Sequence, residues 1–164
     1  MRLVDPFIHE LEMEARQTKR MLAQVPMDKL GWKPHPKSMS MGQLALHVAS
    51  IPARISQLLS QSEIQAPKNS EHPSAQPDDN LAAILDDSVA QAKTFLNSLD
   101  DEAMQSLSRI TKDGREIMSG ARMGFIRTIM LNHWYHHRGQ IVVYLRSLGL
   151  TVPAMYGSSA DEAM

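Results

Sequence analysis

Three histidines have the residue type and the spacing that could hold a metal ion. His133 and His137 are four residues apart, and on a helix this spacing puts two side chains on one face, about 6 Å apart. His47 lies in the apolar stripe of an earlier segment with helical spacing. Neutral imidazole nitrogens are good ligands for first-row divalent ions, so the three could bind one ion together. Three protein ligands leave a coordination position open, which is typical of catalytic rather than structural zinc sites.

His136 competes with His137 as the partner of His133, because residues three and four apart are both neighbours on a helix. The apolar stripe passes through His133 and His137 and continues to Ile141 and Tyr144. We therefore assign His137 as the ligand and expect His136 to flank the site. For any one of these histidines, the alternative is a hydrogen-bonded core side chain that binds no metal.

Other polar side chains are weaker candidates for substrate binding or for orienting the ligands. Arg138 and Gln140 adjoin the histidine pair and could bind a substrate carboxylate or fix helix packing. Glu14 and Glu10, on the first helix, could hold a ligand imidazole in place, although a solvated surface position is the simpler interpretation of each. Tyr156, just beyond the last helix, could fold back over the site and donate a hydrogen bond.

Four amphipathic helices are predicted to position these side chains, and no alternating strand pattern accompanies them. The predicted boundaries are Asp5 and Pro6 at the start of the first helix, a capping box of Ser40 and Gln43 at the start of the second, Asp78 or Asp79 at the start of the third, and Gly120 to Leu148 with a Gly149 cap for the fourth. Pro52 interrupts the second helix and removes the hydrogen bond to the Val48 carbonyl. Four such helices predict a single all-α domain over residues 1–164, a four-helix bundle with long connections.

Two of the connections have features of their own. Residues 62–79 contain three prolines among polar residues and read as an exposed connection, in which His72 is expected to be solvated. Lys112, Asp113 and Gly114 indicate a tight turn between two extended pieces.

The composition argues against several classes of protein. The 164 residues include 17 basic and 18 acidic side chains, a formal charge of -1, which does not favour nucleic-acid binding. No apolar run approaches the roughly 18 residues of a membrane-spanning helix, and the first residues show no secretory signal, so we expect a cytoplasmic protein. Cysteine is absent, so any thiolate at the site would have to come from a low-molecular-weight thiol.

Several sequence motifs resemble those of a known superfamily. The matching segments are Asn132-His-Trp-Tyr-His-His-Arg-Gly-Gln140, Tyr144-Leu-Arg146, Gly149, Val152-Pro153 and Tyr156-Gly157 near the C-terminus, with Trp32-Lys-Pro and Ser40-Met-Gly-Gln-Leu-Ala-Leu-His47 earlier in the chain. Together they resemble the DinB-like superfamily over about residues 5–157. The resemblance implies a four-helix bundle of up-down-down-up order. It also implies a metal triad that, matched residue by residue, becomes His47, His133 and His137.

The resemblance also implies an activity. The superfamily includes thiol-dependent transferases that use bacillithiol and a related mycothiol-dependent isomerase branch, and its members often form dimers. We therefore expect one divalent ion (zinc, nickel, iron or manganese), a small-molecule substrate, a low-molecular-weight thiol as co-substrate, and a homodimer. The expected reaction is metal-dependent S-transfer from the thiol to a small electrophile. The alternatives are a hydrolase with metal-activated water and a non-enzymatic bundle that the metal stabilises.

Overall fold

Helices form most of this computed structural model, which describes residues 1–66 and 72–163. The helices are α1 (Asp5–Leu22), α2 (Met41–Leu59), α3 (Leu81–Asn97), α4 (Asp101–Gln105), α5 (Arg122–Phe125) and α6 (His133–Ser147), with a single 3-10 turn at Met27–Lys29 and a π-helical segment at Ile126–Asn132. Part of the connection predicted over residues 62–79 lies outside the described residues. Within the described part, no helix combines the length and the apolarity needed to cross a lipid bilayer.

The helix caps follow the local sequence closely. At α2, the Ser40 hydroxyl accepts a hydrogen bond from the Gln43 N–H at 3.2 Å, and the Gln43 side chain accepts one from the Ser40 N–H at 2.9 Å. The predicted capping box is therefore confirmed. The predicted cap of α3 is wrong by one or two residues, because Asn80 accepts from the Ala83 N–H at 3.1 Å. Asp79 instead accepts from a backbone N–H within the preceding turn.

A small sheet corrects the all-α prediction. Its strands are β1 (Glu63–Gln65), β2 (Leu107–Lys112) and β3 (Arg115–Ala121). They are ordered β1-β2-β3, with β1 parallel to β2 and β2 antiparallel to β3. The predicted fourth helix consequently begins later than Gly120, because that glycine pairs with Ser108 in the sheet.

The tight turn predicted near Asp113 joins the two longer strands. Lys112 pairs with Arg115, so Asp113 and Gly114 alone form the hairpin loop. Their φ angles are 50° and 75°, as a type I′ turn requires at both central positions. The Asp-Gly pair tolerates this backbone, which explains why the chain reverses here.

The core lies between α1, α2, α3 and α6. Its largest fully buried side chains include Leu11, Met21, Met41, Leu44, Ile51, Leu85, Leu96, Met130 and Trp134. Beyond α6, Gly149 has a φ of 71°. The Leu150 N–H donates to the Leu145 carbonyl and the Gly149 N–H to the Arg146 carbonyl, each at 3.0 Å. This is a Schellman motif, so the predicted glycine cap is confirmed.

Candidate metal centre

Three histidines from two helices lie together at one end of the α2–α6 contact. His47 projects from α2, while His133 and His137 project from the first turns of α6. One ring nitrogen of each lies within 4.8 Å of the others, and all three residues are half-buried. The ring centroids are 4.6 to 5.2 Å apart. The structure therefore brings together the three residues that the sequence proposed as ligands.

The distance between two of these nitrogens fits a shared ion. The Nε2 atoms of His47 and His133 are 3.4 Å apart. Two nitrogens that each lie 2.0–2.1 Å from a tetrahedral ion would be about 3.3–3.4 Å from one another. A direct N–H···N hydrogen bond would normally be shorter, at about 3.0 Å. The spacing thus suits two nitrogens that bind the same metal ion.

Burial keeps the three rings neutral, which is the form that binds a metal. It lowers the pKa of His47 to about 3 and that of His137 to about 4, and the neighbouring imidazoles add to both effects. Burial also lowers the pKa of His133, although a hydrogen bond to the Ile129 backbone acts in the opposite direction. Neutral imidazoles carry a free lone pair at neutral pH, so the donor set is suited to a divalent ion.

Hydrogen bonds orient two of the rings. The Nδ1 atom of His137 lies 2.7 Å from the Gln140 amide oxygen. Because that oxygen can only accept, Nδ1 carries the proton and Nε2 keeps its lone pair. The His133 ring donates to the Ile129 carbonyl. For His47, the buried Nδ1 has no hydrogen-bond partner among the described residues.

A buried tryptophan ties together the two helices that carry the histidines. The indole N–H of Trp134 donates to the Val48 carbonyl at 2.8 Å, and Trp134 is fully buried. Trp134 directly follows His133, and Val48 directly follows His47. The hydrogen bond therefore sets the position of α2 relative to α6 next to the ligands.

The backbone changes its winding immediately before the histidine pair. Ile126–Asn132 is π-helical over seven residues and leads directly into His133. Short π-helical segments occur frequently at functional sites. The predicted stripe assumed an uninterrupted α-helix through this region. In α6 the fully buried positions are Trp134, Ile141 and Leu145, so the histidines lie at the edge of the buried face.

The prediction that His72 is solvated is wrong. The His72 ring is half-buried, with its centroid 5.1 Å from that of His47 and its plane at 83° to it. Its Nδ1 atom is buried and has no hydrogen-bond partner among the described residues. A fourth imidazole therefore stands beside the three candidate ligands.

The start of α2 holds His72 in this position. The Gln43 side chain donates to the His72 carbonyl at 3.0 Å, and the Ala75 N–H donates to the Gly42 carbonyl at 3.1 Å. A Cβ atom on Gly42 would lie 2.5 Å from the Ser74 hydroxyl oxygen. Gly42 is therefore the feature of the sequence that indicates a close approach here, although it does not by itself identify the approaching segment.

The weaker candidates lie in two places. His136 is exposed, with its ring 4.9 Å from that of His137. Arg138 is buried and donates to the Glu14 carboxylate at 2.5 Å, while the Tyr156 hydroxyl donates to the same carboxylate at 2.7 Å. Among the described residues, no hydrogen bond or ion pair links Arg138, Glu14 or Tyr156 to the three histidines.

Glu10, on α1, is paired with side chains of the π-helical segment and of α6. It accepts from the Arg127 guanidinium at 2.6 and 2.7 Å and from the Tyr135 hydroxyl at 2.7 Å. The Arg127 hydrogen bond is the main reason that the pKa of this carboxyl is lowered. Glu10 therefore joins α1 to the last helix.

A cavity opens beside the histidines. It has a volume of about 230 Å³ and is lined by Leu46, His47, Ser50, Arg54, His72 and Pro73. His47 is a wall of this cavity as well as a member of the histidine cluster. A small molecule in the cavity would therefore lie next to a metal ion held by the cluster.

The chain is similar to known proteins over almost its whole length. It is 29% identical over 166 residues to the protein YrdA of Bacillus subtilis strain 168, covering 97% of this chain and 91% of that protein. A solved DinB-like protein of Bacillus subtilis, YjoA, has a TM-score of 0.69 at 20% identity, covering 93% of this chain and 97% of that one. A DinB-like protein of Bacillus cereus ATCC 10987 has a TM-score of 0.67 at 22% identity, covering 92% and 95%. These two likenesses concern the fold.

A match to a family model shows to which protein family the chain belongs. The model of the DinB family matches residues 3–163. Since this match spans nearly every residue and includes all three clustered histidines, the chain belongs to the DinB family.

Proposed function

We propose that the protein binds one divalent metal ion through His47, His133 and His137. The observation that carries this proposal is the 3.4 Å separation of the His47 and His133 Nε2 atoms, which matches the edge of a tetrahedral site. The low pKa values that burial gives these rings support it, because neutral imidazoles are the binding form. Zinc, nickel, iron and manganese all accept three imidazoles.

We further propose that the protein is a metal-dependent thiol S-transferase acting on small electrophiles. A divalent ion supplies Lewis acidity, which lowers the pKa of a thiol or water bound to it. In the transfer, the thiol sulfur forms a bond to an electrophilic carbon, the leaving group departs with its bonding electrons, and the thiol proton passes to solvent. The chain has no cysteine, so the sulfur has to come from a separate small thiol.

The residues of the chain would hold and shape this site rather than react. His47 lines the cavity of about 230 Å³, and Gln140 fixes the ring of His137. Membership of the DinB family supports this activity only by resemblance to its thiol-dependent members. We also propose that α1, α2, α3 and α6 are arranged in up-down-down-up order.

The experiment compares three reactions with one metal-loaded preparation and its chelated control. S-transfer predicts conjugation of a small thiol to an epoxide or alkyl halide that requires both metal and thiol. Hydrolysis predicts turnover of an activated ester that requires metal but no thiol. A non-enzymatic bundle predicts neither. His133→Ala should abolish any metal-dependent rate, whereas the exposed neighbour change His136→Ala should preserve it. Turnover of neither substrate class across a broad panel would leave only the metal site.

A further inference from the structure

Arg54 is an exposed cation that lies close to the histidine cluster. It makes no hydrogen bond or ion pair with any other residue that the structure describes. Salt bridges occupy several other arginines, among them Arg2 with Asp5, Arg127 with Glu10 and Arg138 with Glu14, whereas Arg115 resembles Arg54 in having none among the described residues. Its guanidinium is therefore free to bind an anion from solution.

Arg54 shares a cavity wall with the candidate ligand His47. Positions 47, 50 and 54 are separated by three and four residues, so their side chains lie along one face of α2. The seven-residue separation places the Cα atoms of His47 and Arg54 about 10 Å apart along the helix. One ligand could reach from the histidine cluster towards Arg54, because all three α2 side chains line the same cavity.

The other lining residues suit a small ligand with a polar end and a carbon chain. Ser50 offers a hydroxyl donor, and the His72 imidazole forms part of the cavity wall. Leu46 and Pro73 supply apolar surface. The cavity volume of about 230 Å³ is below the 300–1,000 Å³ typical of sites for drug-sized molecules. The ligand should accordingly have only a few carbon atoms.

We propose that this cavity is a carboxylate-binding subsite, in which Arg54 pairs with a carboxylate of the substrate and Ser50 and His72 donate hydrogen bonds. A guanidinium can bind a carboxylate through two parallel N–H···O hydrogen bonds. The inference rests on the proposed function, because it names the substrate class of the same site. Arg138, one of the weaker candidates from the sequence for binding a carboxylate, is only 3% exposed and already paired with Glu14.

The first test measures binding without metal and without catalysis. Chelated protein is titrated with butyrate and with butyramide, and NMR shifts report both affinities. We expect butyrate to bind about tenfold more tightly than its uncharged analogue, and Arg54→Gln to remove that difference. Arg115→Gln, a change in another exposed arginine outside the cavity, should preserve it. Equal affinities in the wild type, or a difference that survives Arg54→Gln, would overturn the subsite. Neither result depends on whether the protein is an S-transferase.

The second test identifies which reactant carries the carboxylate. Metal-loaded protein is assayed with three pairs of electrophile and thiol. These are chloroacetate with mercaptoethanol, chloroacetamide with mercaptoethanol, and chloroacetamide with mercaptopropionate. The ratio of kcat/KM between wild type and Arg54→Gln is compared across the three pairs. A loss of about tenfold confined to the chloroacetate pair assigns the subsite to the electrophile, and one confined to the mercaptopropionate pair assigns it to the thiol. An equal effect on all three pairs, or no effect on any, would contradict a role for Arg54 in substrate recognition.

Discussion

Pro52 and Trp134 are linked through a single backbone oxygen. Proline has no N–H, so Pro52 cannot donate to the Val48 carbonyl four residues earlier in α2. The indole N–H of Trp134 donates to that carbonyl instead, at 2.8 Å. The gap that the proline leaves in α2 thus becomes a fixed contact with α6, one residue away from a histidine of the cluster on each helix.

This relationship predicts an energetic coupling between the two residues. Trp134→Phe removes the donor and leaves the buried Val48 carbonyl unpaired, which should lower the free energy of unfolding by about 1–3 kcal/mol beyond the loss of ring packing. In a Pro52→Ala background the residue at 52 regains an N–H, so the same change should cost less. Urea unfolding of the four proteins gives the coupling energy. Strictly additive effects would show that the two residues do not share this carbonyl.

The ligand set predicts which histidines control metal content. Replacing His47, His133 or His137 with alanine should remove most of the bound metal, because each change takes one of three converging nitrogens. His136→Ala is the matched control, since that ring is exposed and belongs to the same helix. Elemental analysis and a competition titration measure the content and the affinity. A loss of affinity in His136→Ala as large as that in His137→Ala would refute the assignment.

Gln140 should tune the site without touching the metal. Gln140→Leu removes the acceptor of the His137 Nδ1–H, so the ring loses its fixed orientation and the metal affinity should fall about 10–100-fold. Gln140→Glu supplies a carboxylate acceptor in the same place and should retain the affinity. Competition titration with a chromophoric chelator provides the measurement. Equal affinities for the leucine and glutamate variants would argue against an orienting role.

The buried histidines predict how stability depends on pH in the metal-free protein. Burial lowers the pKa of His47 to about 3 and that of His137 to about 4, from an ordinary value of 6.5. At a pH between the lowered and the ordinary pKa values, these histidines bind more protons in the unfolded chain than in the folded one. The free energy of unfolding should therefore fall as the pH drops from 7 towards 4. Urea titrations of chelated protein at pH 7, 6 and 5 measure this dependence. His47→Asn should show a shallower decline, and stability that rises on acidification would contradict the expectation.

The Arg138–Glu14 pair should matter to stability rather than to the metal. Their side chains are only 4% and 12% exposed, so Arg138→Met leaves a carboxylate without its cation in a poorly hydrated position. Breaking such a pair costs about 3–5 kcal/mol. Tyr156→Phe, which removes one neutral donor to the same carboxylate, should cost about 1 kcal/mol. Urea unfolding measures both, and metal affinity, measured in parallel, should stay unchanged.

Short sequence motifs and helical spacing were enough to predict the features that depend on residues close together in the chain. The Ser40 capping box and the turn at Asp113 and Gly114 are short-range motifs, and both are confirmed. The four-residue spacing of His133 and His137 is likewise a property of one helix. Its convergence with His47 required only that two apolar stripes face one another.

Features that depend on distant residues were beyond the sequence patterns. Strand β1 has only three residues; its Ile64 pairs with Ile110 and is buried in the hydrophobic core. Nothing within residues 63–65 alone distinguishes such a strand from a loop. The position of His72 depends on contacts with Gly42 and Gln43, about thirty residues earlier. Arg138 could be recognised as a buried ion only once α1 was seen to place Glu14 beside it.

The π-helical segment has an evolutionary consequence. A π turn encloses one more residue than an α turn, so deleting one residue from Ile126–Asn132 could restore a regular α-helix there. The extra residue is taken up within a full turn, so the helix before the segment and the helix after it would keep nearly the same orientation relative to one another. Relatives with one residue fewer in this segment could therefore carry a regular α-helix there and still aim both histidines at His47. A length difference of one residue at this point would by itself leave the histidine cluster intact.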